Sequence, residues 1–194
     1  MGPLTGPARL VLVRHGATEW SRTGRHTGRT DVPLDEGGRA QAAALRARLA
    51  PMGVDRVLSS PLSRARTTCE LAGLGERAEV VGDLVEWDYG AYEGLTTPEI
   101  REERPGWRLF RDGCPGGETP GEVGARADAL LDVVARCPSG STVALFGHGH
   151  ILRVLAARWL ALDPAAGQLL ALGAGSISVL GHEREQRVVE TWNS

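Results

Sequence analysis

Short apolar runs alternate with stretches of helical spacing along this chain, and that alternation constrains the fold more than any other feature. Residues 9–13, 54–58, 78–81 and 142–146 read as short strands, with 176–180 and 187–191 as a closing hairpin. Between them, residues 37–50 carry Ala and Leu at helical spacing and end at Pro51, and Pro61 opens a helix through about residue 72. Thr119-Pro120-Gly121-Glu122 reads as a capping box with proline at the first helical position. The helix it starts sets Val123, Ala127, Leu130, Leu131 and Val134 on one face and stops before Pro138; another spans 151–162. Residues 98–104 read as one or two helical turns and 105–117 as irregular. This pattern predicts an α/β fold, a three-layer sandwich with a mostly parallel central sheet and helices on both faces. At 194 residues, with no internal repeat or linker-like tract, residues 1–194 read as one domain.

Composition removes several kinds of chemistry. The chain has no lysine, so its 22 basic residues are all arginine. A lysine Schiff base, a pyridoxal-phosphate lysine and a Walker A lysine are excluded. A net charge of -2 and a pI near 6.2 give no overall attraction to nucleic acid or to an anionic membrane. Only a local arginine cluster is left to hold an anion. Cys69, Cys114 and Cys137 are odd in number, lack metal-ligand spacing, and read as scattered reduced thiols. Leu10 to Val13 is too short for a signal-peptide core, and no run approaches the roughly 20 apolar residues of a membrane span. Met1-Gly2 invites myristoylation, but Gly6 fills the position that needs Ser or Thr. The expected location is cytoplasmic.

Sheets of this kind form their sites beyond the carboxyl ends of the strands. His15 follows the first run and His148 follows the run at 142–146. Each precedes a glycine, Gly16 and Gly149, which leaves room for a substrate against the backbone. Arg14 adjoins His15, and Arg64 opens the helix after the second strand. Arginine forks suit phosphate oxygens, and histidine serves as nucleophile or base. Singly, each part has a plain reading: a His-Gly turn, or a solvated arginine. His148-Gly149-His150 also reads as an H-x-H metal pair on one face of an extended segment, but no companion ligand has the right spacing, and no metal or other cofactor is expected. The chemistry rests on the parts converging.

Leu12-Val13-Arg14-His15-Gly16-Ala17-Thr18-Glu19-Trp20 resembles the L-x-R-H-G-x-T-x-W signature of the histidine phosphatase (phosphoglycerate mutase-like) superfamily. The resemblance continues through Arg25-His26-Thr27-Gly28, Asp31 to Leu34, Gly37 to Ala42 and Ser59 to Thr68. It resumes in the acid loop, Leu84 to Gly94, and at Gly147-His148-Gly149. The blocks come in family order and span most of the chain. The acid loop and residues 111–118 are similar to those of fungal sedoheptulose-1,7-bisphosphatase and of mycobacterial acid phosphatases of this family.

The resemblance implies His15 as the nucleophile that becomes phosphohistidine, with Arg14, Arg64 and His148 as a clamp on the phosphoryl group. It implies Glu86 as the acid that protonates the leaving oxygen and later activates water; residue chemistry alone leaves Asp88 and Glu93 as alternatives. Apolar packing by Trp87, Tyr89 and Tyr92 fits the same loop. Ser21, Thr27, Gly28, His26 and Gly149 are expected substrate contacts, with Gly149 offering its backbone N–H. Arg25, Arg29 and His26 are candidates for a second anionic group, and about 96–119 for a cap that selects the substrate. Mutases of the superfamily carry a long insertion and a lysine after the acid loop; this chain is short there, with Thr97 near that place. The expected function is therefore a metal-independent phosphomonoesterase acting on small phosphorylated metabolites, sugar phosphates or bisphosphates. A phosphoglycerate mutase and a non-catalytic phospho-ligand binding protein are the alternatives.

Overall fold

Leu10 and Leu12 alternate with Val11 and Val13 along β1 (Arg9–Arg14), and all four are buried. Successive side chains point to opposite faces, so this strand needs cover on both. A computed structural model, which describes residues 9–194, supplies it; the Met1-Gly2 and Gly6 reading lies outside the described residues. β2 (Arg56–Ser59), β3 (Ala78–Val80) and β4 (Thr142–Gly147) join β1 in parallel, while β5 (Ile177–Glu183) and β6 (Gln186–Thr191) close the sheet in antiparallel pairing. The order is β3-β2-β4-β1-β5-β6.

Before the acid loop come α1 (Glu19–Arg22), α2 (Glu36–Leu49) and α3 (Ser63–Leu71). After it come α4 (Thr97–Glu103), α5 (Leu109–Asp112), α6 (Pro120–Ala135) and α7 (Gly149–Trp159). Val11, Val13, Val57 and Phe146 pack with Leu45 and Leu49 of α2 and Cys69 of α3. Leu10, Leu12, Leu58 and Leu145 pack with Leu130 of α6, Leu155 of α7 and Trp87 of the acid loop. These are the three expected layers. Thr119 caps α6 with a reciprocal Glu122 bond, as its sequence predicts. Two short helices were not expected. α1 and α5 span four residues each, too few for periodicity to show, and α5 lies in the stretch read as irregular. No helix among the described residues is long and apolar enough to cross a membrane. The three cysteines are buried and free, and burial pushes the Cys69 and Cys114 thiols up to about 12, far from nucleophilic range.

The loop after β1 is pressed against the start of α2. Asp35 N donates to Ala17 O at 3.0 Å, and Ala17 N donates to Gln41 Oε1 at 2.9 Å. A Cβ on Gly38 would lie 2.0 Å from Ala17 O, and one on Gly16 would lie 2.1 Å from Gly38 O. Both obstacles are backbone atoms, so neither can swing aside. Gly38→Ala should therefore destabilise the protein by about 1–3 kcal/mol, read as a lower urea midpoint. An unchanged midpoint would mean the loop moves freely.

Candidate active site

β1 and β4 pair with Arg14 opposite Gly147, so the next residues, His15 and His148, leave the sheet side by side. Their ring centroids are 5.1 Å apart. His15 Nδ1 lies 2.7 Å from Gly16 O; a carbonyl only accepts, so Nδ1 carries the proton and Nε2 keeps its lone pair. Burial holds the His15 pKa well below its usual range, helped by the charges of Arg14 and Arg64. The free protein thus presents a neutral imidazole with one unblocked nitrogen.

Arg64 is fully buried and stands behind this pair. Its Nε donates to His148 Nδ1 at 3.1 Å, which places the His148 proton on Nε2, 2.8 Å from Ser60 Oγ. Its Nη atoms donate to the carbonyls of Thr30 (2.9 Å), Thr27 (3.1 Å) and Gly28 (2.9 Å). Arg64 therefore shapes residues 27–30 and fixes the His148 ring. Arg14 differs. One Nη donates to Leu172 O, and its Nε is the one buried side-chain nitrogen or oxygen among the described residues without a partner. Arg14 also lines a cavity of about 270 Å³, to which its guanidinium brings positive charge.

Glu86 lines the same cavity and is 4% exposed. Its carboxylate accepts from His150 N at 2.9 Å and Ile151 N at 2.9 Å in the first turn of α7, and from Trp87 N at 2.9 Å. Asp88 and Glu93 are occupied elsewhere: Asp88 pairs with Arg29 at 3.4 Å, and Glu93 accepts from Gly28 N at 2.8 Å and Thr30 N at 3.1 Å. Position thus separates three carboxylates that chemistry alone leaves equivalent. The acid loop is held by Arg126 of α6, which the sequence reading missed. Arg126 Nε donates to Glu118 Oε1 at 2.6 Å, and its Nη atoms donate to the carbonyls of Asp83, Val85 and Glu86. Glu118 in turn accepts from Asp88 N at 2.8 Å.

Of the expected substrate contacts, Ser21, His26, Thr27 and Gly149 line the cavity. Ser21 Oγ is engaged with Thr18 in the cap of α1, donating to Thr18 O at 2.9 Å. Gly149 sits against Arg14, whose Cζ would lie 3.3 Å from a Cβ there. Gly28 is not among the lining residues; its carbonyl accepts from Arg64 and its N–H donates to Glu93. Arg64 and His148 likewise lie outside the cavity lining, so the expected clamp divides into Arg14 in front and these two behind. Arg25 reaches the cavity; Arg29, turned to Asp88, does not.

The cavity also takes in His150, Tyr89 and Arg153. His150 Nδ1 lies 2.5 Å from Tyr89 OH, and burial raises the Tyr89 pKa, so the phenol stays protonated in this pair. The H-x-H metal reading fails on geometry: residues 149–159 are helical rather than extended, and the two rings face different partners. No group of three or more potential metal ligands gathers among the described residues. Arg153 had one sequence signal, a cation four residues after Gly149 and so one turn along the same helix face.

The cavity holds a guanidinium beside a neutral imidazole and a single carboxyl, a set of groups that suits an anion. The sequence matches the histidine phosphatase superfamily (branch 1) over residues 10–194, and the chain belongs to that family. It is 44% identical over 181 residues to an acid phosphatase of Mycobacterium tuberculosis, covering 92% of this chain and 89% of that protein. It is 38% identical over 188 residues to sedoheptulose 1,7-bisphosphatase of Saccharomyces cerevisiae, covering 79% of this chain and 68% of that protein. A solved structure of an open reading frame from Mycobacterium tuberculosis superposes with a TM-score of 0.91 at 42% identity, covering 95% of this chain and 96% of that one.

Burial also lowers the pKa of His26, His148 and His150. These histidines and His15 take up protons near pH 6.5 when unfolded and only at lower pH when folded. The unfolded state then binds more protons below that pH, so stability is complete above it and declines as pH falls. Carboxylates with lowered pKa values, such as Asp112 at about 2, titrate below this window. Tm should drop between pH 7 and pH 5, and less steeply in His148→Gln. A flat Tm across that range would mean the rings protonate freely in the fold.

Proposed function

We propose that this protein is a metal-independent phosphomonoesterase that works through a phosphohistidine on small phosphorylated metabolites, with sugar phosphates or bisphosphates as its substrate class. The observation that carries the reading is His15, with Nε2 unprotonated and Nδ1 tied to Gly16 O, sharing a cavity with Arg14 and Glu86. In the first step Nε2 attacks phosphorus as the ester P–O bond breaks, and the Glu86 carboxyl gives its proton to the departing oxygen. In the second, the Glu86 carboxylate takes a proton from water, whose oxygen attacks phosphorus as the N–P bond breaks. Arg14 in front, with Arg64 behind, supplies fixed positive charge through both steps, so the reaction needs no metal. The phosphatase names of the two relatives support hydrolysis. So does the absence of lysine, with Thr97 on the cavity where the resemblance places the mutase lysine. Residues 96–119 serve as the cap.

Three outcomes check this reading. Incubation with labelled substrate and acid-free quenching should trap an alkali-stable, acid-labile phosphoenzyme that His15→Ala abolishes, and turnover should survive EDTA. Trapping of label by His15→Ala at full stoichiometry would remove the assignment. Glu86→Gln should lose about 100-fold or more on alkyl phosphates and much less on aryl phosphates, whose phenolate leaves unaided. Arg126→Met should show the same bias through a displaced acid loop, together with a stability loss of about 3 kcal/mol from breaking its largely buried pair with Glu118. Equal losses on both ester classes would make either residue purely structural.

A further inference from the structure

The His15 imidazole presents a free Nε2 only while its proton stays on Nδ1, and the contact that keeps it there is the Gly16 carbonyl at 2.7 Å. Whatever holds that carbonyl is therefore part of the chemistry. The backbone around it is pinned link by link. His15 N donates to Gly147 O at 3.1 Å, and His15 O accepts from Gly175 N at 2.9 Å. Gly16 N donates to Thr68 Oγ1 of α3 at 3.1 Å. The next peptide is the one that carries the Gly16 carbonyl. Its own N–H, on Ala17, donates to Gln41 Oε1 of α2 at 2.9 Å.

A trans peptide is rigid and planar, with its C=O and N–H on opposite sides. Turning this one away from Gln41 would turn its carbonyl away from His15 Nδ1 in the same motion. Glycine is the residue least able to resist such a turn. No other residue fits at 16, however, since a Cβ there would lie 2.1 Å from Gly38 O. The restraint has to come from outside the loop. Gln41 supplies it while seated against Gly175, where a Cβ would come within 2.9 Å of the Gln41 Cβ. Gly175 thus makes room for Gln41 and donates to His15 O. Gln41 is exposed on α2 and does not line the catalytic cavity, so its route to the chemistry is this peptide.

We propose that Gln41 is a positioning residue for the nucleophile: it holds the Gly16–Ala17 peptide so that the Gly16 carbonyl keeps the His15 proton on Nδ1 and leaves Nε2 free to attack phosphorus. The attack rests on the phosphatase reading; the hold on the tautomer does not. As the Nε2–P bond forms and the ester P–O bond breaks, Nδ1 keeps its proton and the ring becomes cationic. A carbonyl aimed at Nδ1–H stabilises that charge.

The test compares wild type with Gln41→Met, which keeps the side chain's length and loses the acceptor, and with Gln41→Glu, which restores an acceptor oxygen. Because Gln41 is exposed, the methionine variant keeps its fold, and water takes up the freed Ala17 N–H without fixing its direction. Two-bond nitrogen–proton NMR correlations on the resting protein read which ring nitrogen of His15 carries the proton, with His15→Asn assigning the signals. Wild type and Gln41→Glu should show the Nδ1–H form, and Gln41→Met a mixture of the two. On p-nitrophenyl phosphate, Gln41→Met should lower kcat about three- to tenfold, the worth of one hydrogen bond. KM should stay within about twofold, and Gln41→Glu should recover most of the loss. A His15 ring in Gln41→Met as purely Nδ1–H as in wild type would overturn the proposal and leave the phosphatase reading standing. So would an unchanged kcat, or a loss that Gln41→Glu does not recover. If wild type hydrolyses no ester, the phosphatase reading fails, and the NMR comparison alone supports or overturns the hold on the tautomer.

Discussion

The parallel pairing of β1 with β4, in the register that sets Arg14 opposite Gly147, is the constraint on which the rest of the site depends. It brings two residues separated by more than a hundred positions to the same height at the edge of the sheet. A slip of one residue would send His15 and His148 to opposite faces. Hydrophobic alternation prevents that slip, because Leu10 and Leu12 must meet one layer while Val11 and Val13 meet the other. The chemistry therefore inherits its precision from the core. The glycines at 16 and 38 then let the loop after β1 close onto α2, and Gly149 lets Arg14 lie against the start of α7.

Electrostatics in this region are set by which cations are satisfied and which are not. Arg64 spends its donors on three carbonyls and a histidine, and Arg126 on three carbonyls and a carboxylate. They act as struts. Arg14 is the exception, half-buried with its buried Nε unpaired. Burial and neighbouring positive charge keep the histidines neutral, which suits a nucleophile, and the Gly16 carbonyl and the Arg64 guanidinium fix the tautomers of His15 and His148. A cavity with several cations, neutral imidazoles and one carboxylate favours an anion before any particular substrate is named.

Much of the fold and the heart of the site were legible in the sequence. The apolar runs, the capping box at Thr119 and the proline stops are local signals, and each strand and long helix appears close to its expected bounds. The start of α7 was set two residues late, because His148 as its N-cap was read as extended loop. α1 and α5 went unseen, since four residues show no period. His15, Arg14, Arg64, Glu86 and His148 were reachable through family-ordered motifs, and the structure gathers them at one sheet edge.

What the sequence determined alone is local: periodicity, caps, the absence of lysine, and residue types at strand ends. Only the tertiary structure decided which of Glu86, Asp88 and Glu93 faces the cavity, because that depends on partners drawn from distant segments. It also decided that Arg29 turns to Asp88, that Arg153 lines the cavity while donating to the carbonyls of Gly167 and Gln168, and that Arg126 braces the acid loop. An arginine's charge is written in the sequence, but the role of that charge is fixed by which of its five donors folding leaves unpaired.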